Sequence, residues 1–286
     1  MKTSIRRFVW LGWGAVALAA LSLVWVAGCG KSASTGVSTA SGAAVAASAE
    51  KGGAPSVGKT GASPAERMIE RAGKESKYTF LLFYRPNEPA DKKMKDTFAR
   101  AGARLKAKAA FIPVDASSIV EKGLIAKYRV DQAPKPLTLV IAPNGAIVNA
   151  FTKPVDEKAL AGAFVSPNVA EVTKALQNKK LVALCLQGAG TKHNIESRQA
   201  AQQFVGDSRL GGQALLITAD PAKEPGLLRR CGIQSIPTES TILMLLPPGQ
   251  LVASVTGSTT KDALLAKLQA ALASCGSGCG PSGCGQ

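Results

Sequence analysis

Hydrophobic and polar positions follow one order that occurs twice along the chain. In the first half the apolar run Tyr78–Tyr84 is followed by a polar stretch with helical spacing, Asp91–Lys106, and then by Ala110–Asp115. Short continuous apolar runs fit strands covered on both faces, and apolar positions recurring every three or four residues fit a helix packed on one side. A short helix over Ile119–Tyr128 leads to a proline-bearing loop and the run Leu137–Ile141, after which Pro143-Asn144-Gly145 precedes Ala146–Val148. Turn residues between two apolar runs predict a hairpin. The second half runs Leu181–Leu186, a helix from about Ile195 to Phe204, Ala214–Ile217, and a short helix ending near Arg230. A proline-bearing loop, Thr241–Leu246, Pro247-Pro248-Gly249, Leu251–Val255 and a closing helix over Lys261–Ala273 complete it. The predicted order is βαβαββα, twice, which makes the chain an α/β protein of two domains, 64–165 and 166–274.

The ends of the chain break this pattern. Lys2, Arg6 and Arg7 precede an apolar stretch from Phe8 to Ala27 that closes on Val26-Ala27-Gly28-Cys29. A basic start and an apolar middle read as a secretion signal. The small-small-Cys ending resembles the bacterial lipobox, which implies a signal peptide over 1–28, cleavage before Cys29 and a diacylglycerol on that thiol. The competing reading is an uncleaved span, since about 20 apolar residues cross a bilayer. Both export the remainder to the cell envelope. Gly30, where some Gram-negative lipoproteins carry Asp, favours the outer membrane by that resemblance. Residues 29–63 are nearly all Gly, Ala, Ser, Thr and Val, with Lys31, Glu50, Lys51 and Lys59 the only charges. Such a segment cannot bury a core and is expected to act as a tether, with a reach of roughly 30 Å from coil scaling.

Cys231-Gly232-Ile233-Gln234-Ser235-Ile236-Pro237-Thr238 resembles the Gly-Ile-x-Ser-Ile-Pro-Thr segment of thioredoxins. The corresponding stretch of the first half ends in Pro134-Lys135-Pro136-Leu137-Thr138 and is followed at family-like spacing by the Pro-Asn-Gly turn. The resemblance implies tandem thioredoxin-like domains, each a mixed central sheet flanked by helices. It further implies cis-prolines at Pro136 and Pro237, bordering a groove that takes an extended polypeptide. Pro136, Thr138, Ile236, Pro237 and Thr238 are then the partner-contact residues.

Thiol exchange in that family needs Cys-x-x-Cys where the first core strand meets the next helix, because the helix N-terminus stabilises a thiolate. Here those places read Glu88-Pro89-Ala90-Asp91 and Gly190-Thr191-Lys192-His193. Neither contains sulfur. Cys185 lies inside an apolar run, as a small buried hydrophobe does, and Cys231 precedes the Gly-Ile motif; an unusual Cys185–Cys231 disulfide is the competing expectation. The tail 275–286 places Cys275, Cys279 and Cys284 among glycines. Three thiols on a chain of free backbone geometry fit disulfide exchange, a Cu(I) or Zn site, crosslinking between molecules, or no role at all. Their spacings match no zinc signature. Because the sulfur of Cys29 is taken by lipid, five of the six cysteines remain as candidate thiols, an odd number.

The chain carries 35 basic and 19 acidic residues, a net charge of +16. The dispersed excess fits a soluble basic surface, with contact to anionic lipid, to polysaccharide or to an acidic partner as the competing readings, and an exported chain without aromatic-interleaved basic strands is not expected to bind nucleic acid. His193 is the only histidine, which excludes a His-rich metal site and a triad in both domains; it reads as a surface residue at a helix start. Asp156-Glu157 read as solvated carboxylates of a domain linker. No phosphate-cradling loop, Ca²⁺ loop or zinc protease motif is present. The expectation is a lipid-anchored binding or assembly protein with an exported protein partner. A thiol-disulfide oxidoreductase or soft-metal carrier using the tail is the alternative.

Overall fold

The computed structural model describes residues 61–276, with side chains as far as residue 273. The expected signal peptide, Cys29, most of the expected tether, and Cys279 and Cys284 lie outside the described residues. Two four-stranded sheets, each flanked by helices, lie within one compact unit that begins at Ser63.

The first sheet is built from β1 (Tyr78–Tyr84), β2 (Ala109–Asp115), β3 (Leu137–Ile141) and β4 (Ile147–Phe151) in the order β2-β1-β3-β4. β1 pairs parallel with β2 and antiparallel with β3. Its central place explains its unbroken apolar run: Phe80 and Leu82 enter one core layer, Leu81 and Phe83 the other. At the edge, β2 carries Pro113 exposed, the position where a strand tolerates a residue without an N–H. α1 (Pro64–Lys74) and α3 (Lys122–Lys127) cover one face. α2 (Pro89–Leu105) covers the other, placing Phe98 edge-on to Phe111 at 4.8 Å.

α4 (Glu157–Ala161) closes the first domain, and α5 (Pro167–Gln177) opens the second. The second sheet follows as β5 (Leu181–Leu186), β6 (Ala214–Ala219), β7 (Thr241–Leu246) and β8 (Gln250–Thr256), in the order β6-β5-β7-β8, with α6 (Asn194–Val205), α7 (Pro225–Arg230) and α8 (Lys261–Gly276). Strand β5 is again parallel to one neighbour and antiparallel to the other. The tandem thioredoxin-like arrangement expected from the sequence is present, with a helix added before each sheet.

Those added helices, α1 and α5, start in the same way. Ser63 and Ser166 are N-caps whose hydroxyls accept from Glu66 N–H and Val169 N–H, and a proline follows each. Each serine then donates to a buried glutamate 58 residues later: Ser63 Oγ to Glu121 Oε2 and Ser166 Oγ to Glu224 Oε2, both 2.5 Å. The second carboxylate oxygen accepts from Ala65 N–H at 3.1 Å in one copy and from Asn168 Nδ2 at 2.8 Å in the other. A carboxylate at a helix N-terminus satisfies orphan donors and faces the positive end of the dipole. Each glutamate thereby pins the loop after the second strand to the start of the domain.

The boundary between the halves is packed. Tyr78 donates its hydroxyl to Val165 O at 2.6 Å, and Val165 touches the cores of both domains. The Gln177 side chain donates to Ile147 O and accepts from Ile147 N–H, which covers part of the edge of β4. Asp156 and Glu157 face solvent, as expected, but they belong to the closing helix of the first domain and not to a linker. Asp156 caps α4 by accepting from Ala159 N–H at 2.7 Å, and Glu157 accepts from Arg100 and Arg104 of α2. The first domain needs a closing helix there, and two arginines one helical turn apart both reach the Glu157 carboxylate.

Candidate functional site

The end of each sheet where the first strand runs into the next helix, and where the third strand begins, is the place a thioredoxin-like domain uses. In the first domain β1 ends at Tyr84 and α2 begins at Pro89, with Glu88 as an N-cap that makes no side-chain capping bond. Asp91, in the first turn, is fully buried. Its Oδ2 accepts from the Arg85 N–H at 2.6 Å and from Arg85 Nε at 3.4 Å, while Oδ1 has no partner among the described residues. The Asp91 carboxylate thereby fixes the loop between β1 and α2.

Pro136 precedes β3, and the Lys135–Pro136 bond is cis, as expected. Pro136 and Thr138 are both buried, so neither side chain is offered to a partner. The reachable element is the backbone before them: Pro134 is exposed and Lys135 half-buried. Lys135 Nζ turns back to donate to Val130 O at 2.8 Å and Ala133 O at 3.2 Å. Among the described residues, the backbone of Pro134 and Lys135 makes no hydrogen bond to another backbone group.

The second domain differs. The expectation of a cis bond at Pro237 is not met; the other cis bond is Pro247–Pro248, in the turn between β7 and β8. β7 begins at Thr241, so the residue occupying the place of Pro136, immediately ahead of the strand, is Ser240. Its secondary amide stays trans because the cis form is confined to X-Pro bonds. The Ser240 N–H donates to Lys192 O at 2.9 Å, and the Lys192 N–H donates to Thr238 O at 3.0 Å. The loop is thus clasped to its own chain by a parallel bridge, Lys192 to Glu239. Ile236 and Thr238 are exposed and Pro237 half-buried on the outside of that clasp.

The segment ahead of α6 is likewise tied down. The Thr191 hydroxyl accepts from Gly188 N–H at 2.8 Å and donates to Asn194 Oδ1 at 2.6 Å, and Asn194 Nδ2 donates to Gly188 O at 2.8 Å. His193 is exposed, as expected for a helix start, in the left-handed conformation at φ 60°. Asp91, Thr191 and Asn194 escaped sequence reasoning as site residues. The polar composition of the two loops was their only signal.

Cys185 and Cys231 are both free and buried. They do not pair: Cys185 lies in the core layer with Phe204 and Leu264, and Cys231 in the layer with Val172 and Leu227. Neighbouring strand positions point to opposite faces, and here the sheet stands between the two thiols. Burial pushes the Cys185 thiol up, against the smaller effect of its 3.6 Å contact with Ser240 Oγ. Burial likewise pushes Cys231 up to about 11. Both are therefore poor thiolates at neutral pH. Cys275 lies within α8 with its side chain undescribed, and no cluster of three or more His, Cys, Asp or Glu residues that could hold a metal occurs among the described residues. No described helix is long and apolar enough to cross a membrane.

No family model and no curated protein matches the sequence. Among solved structures, the chain is similar to the thioredoxin Deadhead of Drosophila melanogaster, at 22% identity over 34% of this chain and 86% of that one, with a TM-score of 0.29. The first two thioredoxin domains of Saccharomyces cerevisiae Eps1p match at 12% identity over 76% of this chain and 99% of that one, TM-score 0.32. The N-terminal domain of alkylhydroperoxide reductase AhpF from Enterococcus faecalis matches at 15% identity over 71% and 98%, TM-score 0.28.

Proposed function

We propose that this is a lipid-anchored envelope protein that binds extended segments of exported polypeptides through the first thioredoxin-like domain, without thiol chemistry at that site. The observation that carries the reading is the free backbone of Pro134 and Lys135 beside cis-Pro136. Unpaired backbone next to the start of a strand can recruit a partner segment, main-chain hydrogen bonds giving affinity. The second domain supports the first, its corresponding loop being held by Lys192. Cleavage before Cys29 and acylation of that residue confine the protein to a membrane surface, and Gly30 favours the outer membrane in a Gram-negative host.

The test is binding of a fluorescent, permanently unfolded polypeptide to residues 30–286, which lack the expected signal peptide and the acylated cysteine, followed by anisotropy. Lys135→Pro removes the one N–H available in the Pro134–Lys135 pair and is expected to weaken capture at least tenfold, with Lys135→Ala close to wild type. Near-ultraviolet circular dichroism confirms that each variant is folded. Equal capture by Lys135→Pro and wild type sinks the reading. Deleting residues 275–286 separates the alternative: lost capture, stoichiometric bound metal, or a tail disulfide that equilibrates with glutathione favours an oxidoreductase or soft-metal carrier built on Cys275, Cys279 and Cys284.

A further inference from the structure

The loop between β2 and α3 exposes two adjacent aliphatic side chains, Ile119 at 87% and Val120 at 68% of their surface. The fold does not require them. The second domain makes the same connection between β6 and α7, ending on the equivalent glutamate, with Ala222-Lys223 ahead of Glu224 where the first has Ile119-Val120 ahead of Glu121. One copy therefore carries an exposed apolar pair that the other builds without.

What distinguishes the two loops is the chain that meets them. Glu121 grips Ser63 and Ala65, the residues at which the low-complexity segment enters the fold. The proposed lipid at Cys29 is then about 34 residues away along the chain. Directly after the apolar pair come Lys122, Lys127 and Arg129, all exposed and none in an ion pair among the described residues. Across 117–132 the exposed acidic counterpart is Asp131 alone, since Glu121 is buried. Apolar side chains flanked by cations fit an anionic bilayer surface, where the aliphatic groups enter the acyl boundary and the cations meet headgroup phosphates.

We infer that Ile119 and Val120, with Lys122, Lys127 and Arg129, form a docking loop that seats the first domain on an anionic lipid bilayer. The inference deepens the proposed anchoring: the loop binds the bilayer by itself, and tethering raises its local concentration there and so its occupancy. It also places the Pro134–Lys135 backbone, at the same end of the sheet, close to the bilayer.

All three tryptophans of the chain, Trp10, Trp13 and Trp25, precede Cys29. Residues 30–286, without the acylated cysteine, are therefore free of tryptophan, and Val120→Trp gives a single reporter. With vesicles of 70% phosphatidylethanolamine and 30% phosphatidylglycerol, its emission is expected to shift to the blue. Ile195→Trp, at a position 73% exposed in the second domain, is expected to stay unshifted. Ile119→Ser/Val120→Ser is expected to lower sedimentation with these vesicles about tenfold, and raising salt from 0.05 to 0.5 M to lower that of the wild type. No shift in Val120→Trp, an equal shift in Ile195→Trp, unchanged sedimentation of the double variant, or a response to unfolded polypeptide but not to vesicles each overturns the inference. The anchor is tested separately, by whether full-length Cys29→Ser loses its acyl mass and membrane fractionation. Docking by the unacylated chain is read independently of that result.

Discussion

Replacing Glu121 by alanine isolates the device that joins the start of the first domain to its β2–α3 loop. The change removes the acceptors of two hydrogen bonds, from the Ser63 hydroxyl at 2.5 Å and from Ala65 N–H at 3.1 Å. Both donors are buried in the native fold, with Ser63 9% and Ala65 4% exposed. Hydrogen bonds to a charged group contribute about 1.5–3 kcal/mol each, and a carboxylate at a helix N-terminus adds about 0.3–1 kcal/mol. Against this stands the desolvation of a carboxylate that is 8% exposed, a cost of several kcal/mol that alanine does not bear. The net expectation is a loss of about 2–3 kcal/mol, because the two donors are left without acceptors.

Tyr78, Tyr84 and Tyr128 are the only tyrosines and all lie in the first domain. Their near-ultraviolet signal therefore follows that domain alone through a urea titration, where about 1–3 kcal/mol per molar is the usual slope. Glu121→Ala is expected to lower the midpoint by about 1–2 M. Glu121→Gln, which keeps the shape and loses the charge, is expected to cost about 1 kcal/mol. In a double-mutant cycle, Ser63→Ala and Glu121→Ala are expected to couple by about 1–2 kcal/mol, since each removes the other's partner. Additivity of the two within about 0.5 kcal/mol would refute the pairing, as would a midpoint for Glu121→Ala within about 0.3 M of wild type.

Burial holds the Cys231 thiol protonated up to about 11, against an ordinary 9.0, so its contribution to stability is full below pH 9 and declines as pH rises towards 11. Wild type is then expected to lose about 2 kcal/mol more than Cys231→Ala between those pH values, and parallel urea-stability profiles would contradict it. Phe98, 2% exposed and edge-on to Phe111, is expected to cost about 3–5 kcal/mol on truncation to alanine; a loss under 1 kcal/mol by the same tyrosine titration would show that the layer between α2 and the sheet collapses to fill the space.

The central strands were the most legible part of the fold. β3, β5 and β7 begin and end where their apolar runs do, because a strand covered on both faces leaves no polar position to blur its limits. The edge strands β4 and β6 run longer than their apolar cores because one side of each meets solvent. α1 was hidden from periodicity by its inward residues, Ala65 and Ala72, whereas α5 buries Val169, Val172 and Leu176 at a helical spacing that the sequence shows. Both also carried a signal in their caps. Ser63-Pro64-Ala65-Glu66 is a capping box with proline at the first helical position, and Ser166-Pro167 repeats its start. The resemblance placed a cis bond correctly at Pro136 and wrongly at Pro237. The motif locates the loop, whereas the peptide geometry depends on which residue stands immediately before the strand. The free backbone at Lys135 and the clasp at Lys192 depend on contacts between distant segments, which neither composition nor spacing encodes.

One residue accounts for much of the divergence between the two halves. A loop ahead of the third strand can close on its own chain only if it offers a donor to the segment before the second helix, and Ser240 does so through its N–H. At the corresponding place Pro136 has no N–H to offer. The same fold thus reaches two outcomes: a clasped end in the second domain, and in the first an end whose backbone groups at Pro134 and Lys135 keep their hydrogen-bonding capacity. Backbone donors and acceptors are seldom left unused where a structure can pair them. The proposed pairing with a strand from another polypeptide uses these backbone groups directly and asks for no thiol or metal at that end of the domain.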